Sequence, residues 1–506
     1  MTIEIVDPES TDLIHLASVD VKFSGAHLGG GIYFSANHNP QPGGTGTAIT
    51  QRGLTNEGTA HSTVEIDYTL PADEDPWDAY RDGTNNVLPG FDMALHVGER
   101  LENGSFYDGP TAPLLIASDP TDLIGAVTIT GYPNSNRGSL AQSEGQLSSG
   151  GYFENDVAGD IGGFFLVTGA EATAGMSGGA TWLEFDPDGD GQSSQFLIGS
   201  VSRAGTVEVD GTPTPAILST AFSTHYTELA DAIQSLTDDD ARSADDFGRM
   251  TLLSGQSLGS EATSVNGQFF HEDIYGGVND DNLSGGAGDD MIFGGLGADT
   301  IDGGDGFDFV SYAGDDAAIK LDLLGKARAK GEAANDLITN IEGIIGTSFN
   351  DRLKGDQGAN SLLGGAGDDK LVGRKGDDTL DGGDGNDLLL SGKGADVLTG
   401  GEGADTFVFR GVRWSRPEET DHITDFDGAD GDIIDLTKID AARGIKGNQA
   451  FDFIGTDEFS GERGTLRFET IGENTLIQGD RNGNSEADFE LLLIGVHDLS
   501  EGSFLL

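Results

Sequence analysis

The residues best suited to chemistry in this chain are aspartates that recur every ninth position behind paired glycines. The phrase runs from Gly276 to Ser311 and again from about Gly346 to Val408. Clear copies read Gly285-Gly-Ala-Gly-Asp-Asp290-Met-Ile-Phe293, Gly294-Gly-Leu-Gly-Ala-Asp299-Thr-Ile-Asp302 and Gly364-Gly-Ala-Gly-Asp-Asp369-Lys-Leu-Val372. The glycines allow turns with positive φ that other residues resist. Each turn can then aim main-chain carbonyls and the sixth-position carboxylate into the gap between neighbouring coils. Such an oxygen cage suits a hard divalent cation, and Ca2+ takes about 6–8 oxygen ligands in flexible geometry. The aliphatic at position eight, as in Ile292, Ile301, Leu371 and Leu380, is expected to enter a short strand facing inward. One coil cannot bury that side alone, so the stack is the stable unit. A disordered Gly/Asp linker would have no reason to keep an aliphatic at every ninth position.

The phrase is the G-G-x-G-x-D-x-U-x repeat. It resembles the calcium-binding repeat of the RTX family of exported bacterial proteins and holds register through four consecutive units and then seven. The resemblance implies a calcium-bound parallel β-roll holding several Ca2+ ions. Its ligand carboxylates would be Asp281, Asp290, Asp299 and Asp308 in the first block. In the second they would be Asp351, Asp369, Asp378, Asp387, Asp396 and Asp405, with Asn360 as a neutral variant. Without metal the stacked carboxylates repel one another, so binding supplies folding free energy.

Composition narrows the partners. The 506 residues allow two to four domains, and the formal charge of −60 argues against nucleic acid and anionic membrane surfaces. There are no cysteines, so disulfides and thiolate zinc sites are excluded. Bound calcium can act as the cross-link instead. No apolar run approaches the roughly 18 residues needed to span a bilayer. The stretch Met1–Ser10 has neither a basic region nor an apolar core, so no secretory signal peptide is expected there.

Residues 421–506 look like the segment that follows such repeats in serralysin-type exported proteins. The matching phrases are Ile423-Thr-Asp-Phe-Asp427, Asp432-Ile-Ile-Asp-Leu436, Asp480-Arg-Asn-Gly-Asn-Ser-Glu-Ala-Asp-Phe489 and Gly502-Ser-Phe-Leu-Leu506. That likeness implies a type I secretion apparatus as partner and an extracellular, secreted location. Cytosolic calcium is scarce, so the roll would stay open inside the cell and close outside. The serralysin zinc motif H-E-x-x-H does not carry over, because His271-Glu272 is followed by Tyr275 where the second histidine belongs.

Residues 1–236 alternate strand patterns with Gly/Pro/Asn turns, an all-β signature. They close with a helix-like stretch from His225 to Leu236. The chemistry there centres on Gly175-Met-Ser-Gly-Gly179, where glycines let the backbone turn sharply and present N–H groups to an oxyanion. Upstream lie Phe91-Asp-Met-Ala-Leu95 and Val127-Thr-Ile-Thr-Gly-Tyr-Pro133. Together these resemble the trypsin-like serine peptidases over residues 12–236. The resemblance implies a double β-barrel, Ser177 as nucleophile, Asp92 as the aspartate, and the N–H groups of Gly175 and Ser177 as the oxyanion hole. His38, closing Gly31-Ile-Tyr-Phe-Ser-Ala-Asn-His38, matches the general base. Two alternatives stand beside it. His61 in Gly58-Thr-Ala-His-Ser62 is one. The other reads residues 24–38 as the preceding hairpin, which leaves no histidine and an inactive peptidase-like binding or surface protein.

Met176 replaces the family's usual aspartate, which implies activation by calcium-driven folding and not by a new N-terminus. Glu171 lies near the base of the expected primary pocket, and Asp186-Pro-Asp-Gly-Asp-Gly191 opens like an EF-hand loop but has Leu197 at position twelve. The expected order is a peptidase domain at 1–236, an acidic linker at 237–269, the β-roll at 270–408 with an insert at 312–345, and a C-terminal segment at 409–506.

Overall fold

A computed structural model describes residues 4–5, 18–21, 23–29, 32–35, 45–51, 63–69, 94–98, 114–117, 125–131, 141–154, 161–168, 180–185, 193–209, 212–221, 250–253, 264–325, 333 and 335–506. The chain is all-β, and no α-helix occurs among the described residues. It divides into two compact units, Met1–Val278 with Gly285–Asp290, and Asn279–Ser284 with Met291–Leu506.

In the first unit two rings of antiparallel strands form. The first is a closed barrel of Ser18–Val21, Phe23–Gly29, Ile32–Ser35, Ala94–Gly98, Thr63–Thr69 and Thr45–Gln51. The sequence TVEIDYT alternates apolar residues with polar ones, which suits a sheet with two different faces. In the second ring Gly125–Gly131 pairs with Ala141–Glu154, which pairs with Ile161–Thr168. That strand pairs with Thr212–Ala221, then Ser194–Val209, then Ala180–Phe185, which returns to Gly125–Gly131. Val127, Leu147, Trp182, Leu183, Phe196 and Ile198 from these strands are buried. Thr181, Trp182 and Leu183 are buried in succession, so the strand directly after the 175–179 phrase is covered on both faces.

Two short parallel strands follow. Met250–Leu253 pairs with Leu114–Ala117 and with Glu272–Tyr275. The span expected as linker, 237–269, therefore contains strands at 250–253 and 264–266.

The second unit is a roll of parallel strands whose partners lie one coil apart. On one sheet Gly343–Ile345, Ser361–Ala366, Thr379–Asp384, Val397–Glu402 and Asp421–Ile423 pair in turn. On the other Lys320–Asp322, Arg352–Lys354, Lys370–Lys375, Leu388–Lys393, Thr406–Val408, Ile433–Asp435 and Phe504–Leu505 do the same. Leu362, Leu380, Leu398 and Ile423 align along the first sheet, and Leu353, Leu371, Leu389, Phe407 and Ile434 along the second. All are fully buried. At about 1.5–3 kcal/mol for each fully buried side chain, this double ladder is the apolar core of the unit.

Insert and C-terminal segment both join the roll. The insert 312–345 supplies strands at 320–322, 337–339 and 343–345. The segment 409–506 extends both sheets and adds the antiparallel meander Thr465–Ile471, Asn474–Asp480 and Phe489–Leu493. Phe409 meets Phe489 edge to face at 5.8 Å.

Candidate metal centre

Glycine shapes each turn. Gly383 takes φ +96°, and a Cβ there would collide with the carbonyl of Gly365 in the preceding coil. The first glycine of each unit has a different reason to lack a side chain. A Cβ on Gly364 would press against Asp369 Oδ2 and lie 2.5 Å from the carbonyl oxygen of Gly382, one coil on. Gly382 is placed the same way against Asp387 Oδ2 and the Gly400 oxygen, and Gly373 against Asp378 Oδ2 and the Ser391 oxygen. Carboxylate and carbonyl oxygens thus crowd one small space per turn.

The sixth-position carboxylates use their two oxygens differently. Oδ1 accepts the backbone N–H of the equivalent residue one coil earlier. Asp351 N donates to Asp369 at 2.6 Å, Asn360 to Asp378 at 2.9 Å, Asp369 to Asp387 at 2.7 Å, Asp378 to Asp396 at 2.8 Å and Asp387 to Asp405 at 2.8 Å. Oδ2 of Asp299, Asp369, Asp378, Asp387, Asp396 and Asp405 is buried with no hydrogen-bond donor. A buried anionic oxygen without a donor costs several kcal/mol unless a cation meets it.

Burial dominates the titration of these groups. It pushes Asp299, Asp369 and Asp396 up to about 7, Asp387 and Asp405 to about 6 and Asp378 to about 8. Neighbouring carboxylates add to the rise, Asp396 foremost for Asp378. Among the described residues no three His, Asp or Glu side chains converge on one point. The oxygens that a cation would meet at each turn are a carboxylate Oδ2 and a main-chain carbonyl, such as Asp369 Oδ2 and the Gly382 oxygen. That donor set, all oxygen and part anionic, fits Ca2+.

The remaining expected ligands make bonds of the same kind with different partners. Asp290 Oδ1 accepts from Glu272 N at 2.7 Å, and Asp281 N donates to Asp299 Oδ1 at 2.8 Å. Asp308 N donates to Glu342 Oε2 at 3.0 Å. Asp351 is held by the N–H groups of Ile319 at 2.7 Å and Thr347 at 2.6 Å and by the Thr347 hydroxyl at 3.1 Å. Asn360 Oδ1 accepts from Asp356 N at 2.7 Å, and its Nδ2 donates to Glu342 O at 3.2 Å.

Four acids on the ladder were not among the sequence candidates. Asp336 accepts from Asp299 N at 3.0 Å, Asp421 from Asp396 N at 3.0 Å and Asp432 from Asp405 N at 2.9 Å, beside the Glu342 bond already given. None of the four stands behind the full Gly-Gly-x-Gly phrase. Each still has an isoleucine two residues on, Ile338, Ile344, Ile423 and Ile434, so the acid-x-aliphatic tail of the unit was the available signal. Glu272, with Ile274 behind it, fits the same tail, and both are fully buried. His271 engages the backbone of Asp289, whose N–H donates to Nδ1 at 2.6 Å. His38, His61, Asp92, Glu171, Gly175, Ser177, the 186–191 loop and the 225–236 stretch lie outside the described residues.

The comparisons with known proteins bear on the repeats. A family profile described as the RTX calcium-binding nonapeptide repeat (4 copies) matches residues 275–310, 345–380 and 381–409. No curated protein sequence matches the chain. Solved structures similar to it include mouse neuropsin, a serine protease expressed in the limbic system of the brain. It is 14% identical with a TM-score of 0.31, over 44% of this chain and 97% of neuropsin. The inactive form of the Rv3671c protease is 15% identical with a TM-score of 0.25, over 41% of this chain and 84% of that one. Scores this low carry no argument about fold or activity. Among the described residues no helix is long and apolar enough to cross a membrane. The family match and the orphaned carboxylate oxygens agree: this chain carries RTX repeats that bind several Ca2+ ions.

Proposed function

We propose that the chain is a secreted, calcium-dependent bacterial serine endopeptidase, exported by a type I secretion apparatus, that hydrolyses protein or peptide substrates with Ser177, His38 and Asp92. The observation that carries this reading is a strand register. Ser35, three residues before His38, and Ala94, two residues after Asp92, are Cα partners in an antiparallel pair. The chain therefore leaves Ser35 toward His38, and arrives at Ala94 from Asp92, at the same end of that pair. His61 instead precedes Thr63, at the opposite end of its strand from Tyr68 and Thr69, which pair with Gly98 and Val97. The register favours His38 as the base. Two rings of six antiparallel strands are what a trypsin-type double barrel requires, and the strand after Ser177 belongs to the second.

In this reading Ser177 Oγ attacks the scissile carbonyl while His38 takes its proton and later gives it to the leaving amine. Asp92 orients the imidazole, and the N–H groups of Gly175 and Ser177 hold the oxyanion. Calcium folds the roll after export and has no part in bond cleavage. The purified chain should cleave casein in millimolar CaCl2 and react with a fluorophosphonate probe. Ser177→Ala should abolish both, and His38→Ala should remove activity on the order of 10⁴-fold or more while His61→Ala leaves it near wild type. Undiminished cleavage by Ser177→Ala would refute the reading. Absence of labelling in calcium would favour the inactive, peptidase-like binding protein.

A further inference from the structure

Two successive turns on one side of the roll depart from the pattern. Arg374 stands at the second position of Gly373-Arg-Lys-Gly-Asp-Asp378, where the neighbouring units carry Gly365, Gly383, Gly392 and Gly401. It adopts φ 86°, close to Gly365 at 103° and Gly383 at 96°, a conformation that L side chains disfavour. Asn360, one coil earlier, replaces the sixth-position carboxylate.

The arginine reaches across that coil. Its Nη1 and Nη2 donate to Asp322 Oδ1 and Oδ2 at 2.8 and 2.7 Å, a bidentate pair, and Nη1 also donates to the Gly355 carbonyl at 2.5 Å. Asp322 belongs to the insert, and the strands 320–322, 352–354 and 370–375 lie side by side, so the guanidinium ties the outer two over the middle one. Gly355 opens the unit that ends in Asn360, and first-position carbonyls elsewhere, such as Gly382 and Gly400, face buried carboxylate oxygens that lack donors. Here the same kind of carbonyl already has a cationic partner. The Asn360 amide completes the substitution, since its NH2 donates to the Glu342 carbonyl and its oxygen is satisfied by Asp356 N–H.

We propose that Arg374 is a built-in cation, and that with Asn360 it closes the turn at 355–360 without calcium and docks the insert. The metal-bound turns from Asp369 to Asp405 then stack on a block that is already formed. The inference rests on calcium occupying the regular turns and is independent of the peptidase reading.

Hydrogen–deuterium exchange on the full-length chain in excess EGTA tests it without any variant. The Leu323 amide bonds Lys354 O and the Gly355 amide bonds Val372 O, while Gly385 bonds Glu402 O within the metal-dependent turns. Peptides holding Leu323 and Gly355 should exchange at least about tenfold more slowly than one holding Gly385. Arg374→Gln should erase that difference. Equal exchange in the wild type would overturn the proposal. A gain-of-site experiment gives a second reading. Calorimetric titration with CaCl2 should show the Asn360→Asp/Arg374→Gly chain taking one more Ca2+ than wild type. Unchanged stoichiometry in a folded double variant also overturns it.

Discussion

Replacing Asp378 with asparagine should change stability in opposite directions with and without calcium. The substitution keeps the acceptor for Asn360 N–H, now at 2.9 Å, and converts the donorless, buried Oδ2 into an NH2 group. In chelator the wild-type carboxylate is a liability, because burial and then Asp396 raise it from 3.8 to about 8. At neutral pH roughly three units of that rise are felt, at about 1.4 kcal/mol each. Halving for solvent screening leaves about 2 kcal/mol that asparagine recovers. In saturating calcium the balance reverses. A site filled at about 100 times its dissociation constant contributes about 2.7 kcal/mol, and the amide forfeits it. Asn360 shows how such an amide settles, donating to a main-chain carbonyl. Urea melts of the full chain in EGTA and in millimolar CaCl2, followed by circular dichroism, give both signs. Destabilisation of similar size in both buffers would mean that the carboxylate acts only through its hydrogen bond, and the cation argument would fail.

Gly382 should be intolerant for a reason other than backbone angle, since it is not among the left-handed glycines. Gly382→Ala puts a methyl between Asp387 Oδ2 and the Gly400 oxygen and should lower calcium stoichiometry by one in calorimetry. A metal-free chain should regain roll structure on acidification. Carboxylates raised to about 6–8 in the fold bind more protons folded than unfolded, so they destabilise progressively as pH rises from about 4 through 8. Circular dichroism in EGTA should therefore show more β-structure at pH about 4 than at pH about 8, and no change would contradict the burial of these groups. Leu389→Ala, at a fully buried rung, should cost about 2–5 kcal/mol in calcium. A cost under about 1 kcal/mol would show that the aliphatic ladder is not the core.

The roll is legible in the sequence where a turn needs glycine and hidden where it does not. The period of nine was visible because Gly at positions one, two and four, Asp at six and an aliphatic at eight are each demanded by backbone angle, cation or core. Asp369, Asp378, Asp387, Asp396 and Asp405 stand at that sixth position, and each carries a donorless buried oxygen. Asp336, Glu342, Asp421 and Asp432 were missed because their ladder partners lie 37, 34, 25 and 27 residues away instead of 18. Loops of other lengths can close on the same sheet as long as an acid and an aliphatic arrive in step.

Local pattern, then, suffices for the repeat, its cation and its inward ladder, because those depend on spacing within nine residues. Which carboxylates keep an oxygen without a donor depends also on groups brought in from distant turns, as Asp351 accepts from the N–H of Ile319, 32 residues earlier. The same holds for Arg374, whose partner Asp322 lies 52 residues away. No spacing rule links that pair; they meet because the strands at 320–322 and 370–375 flank the same coil.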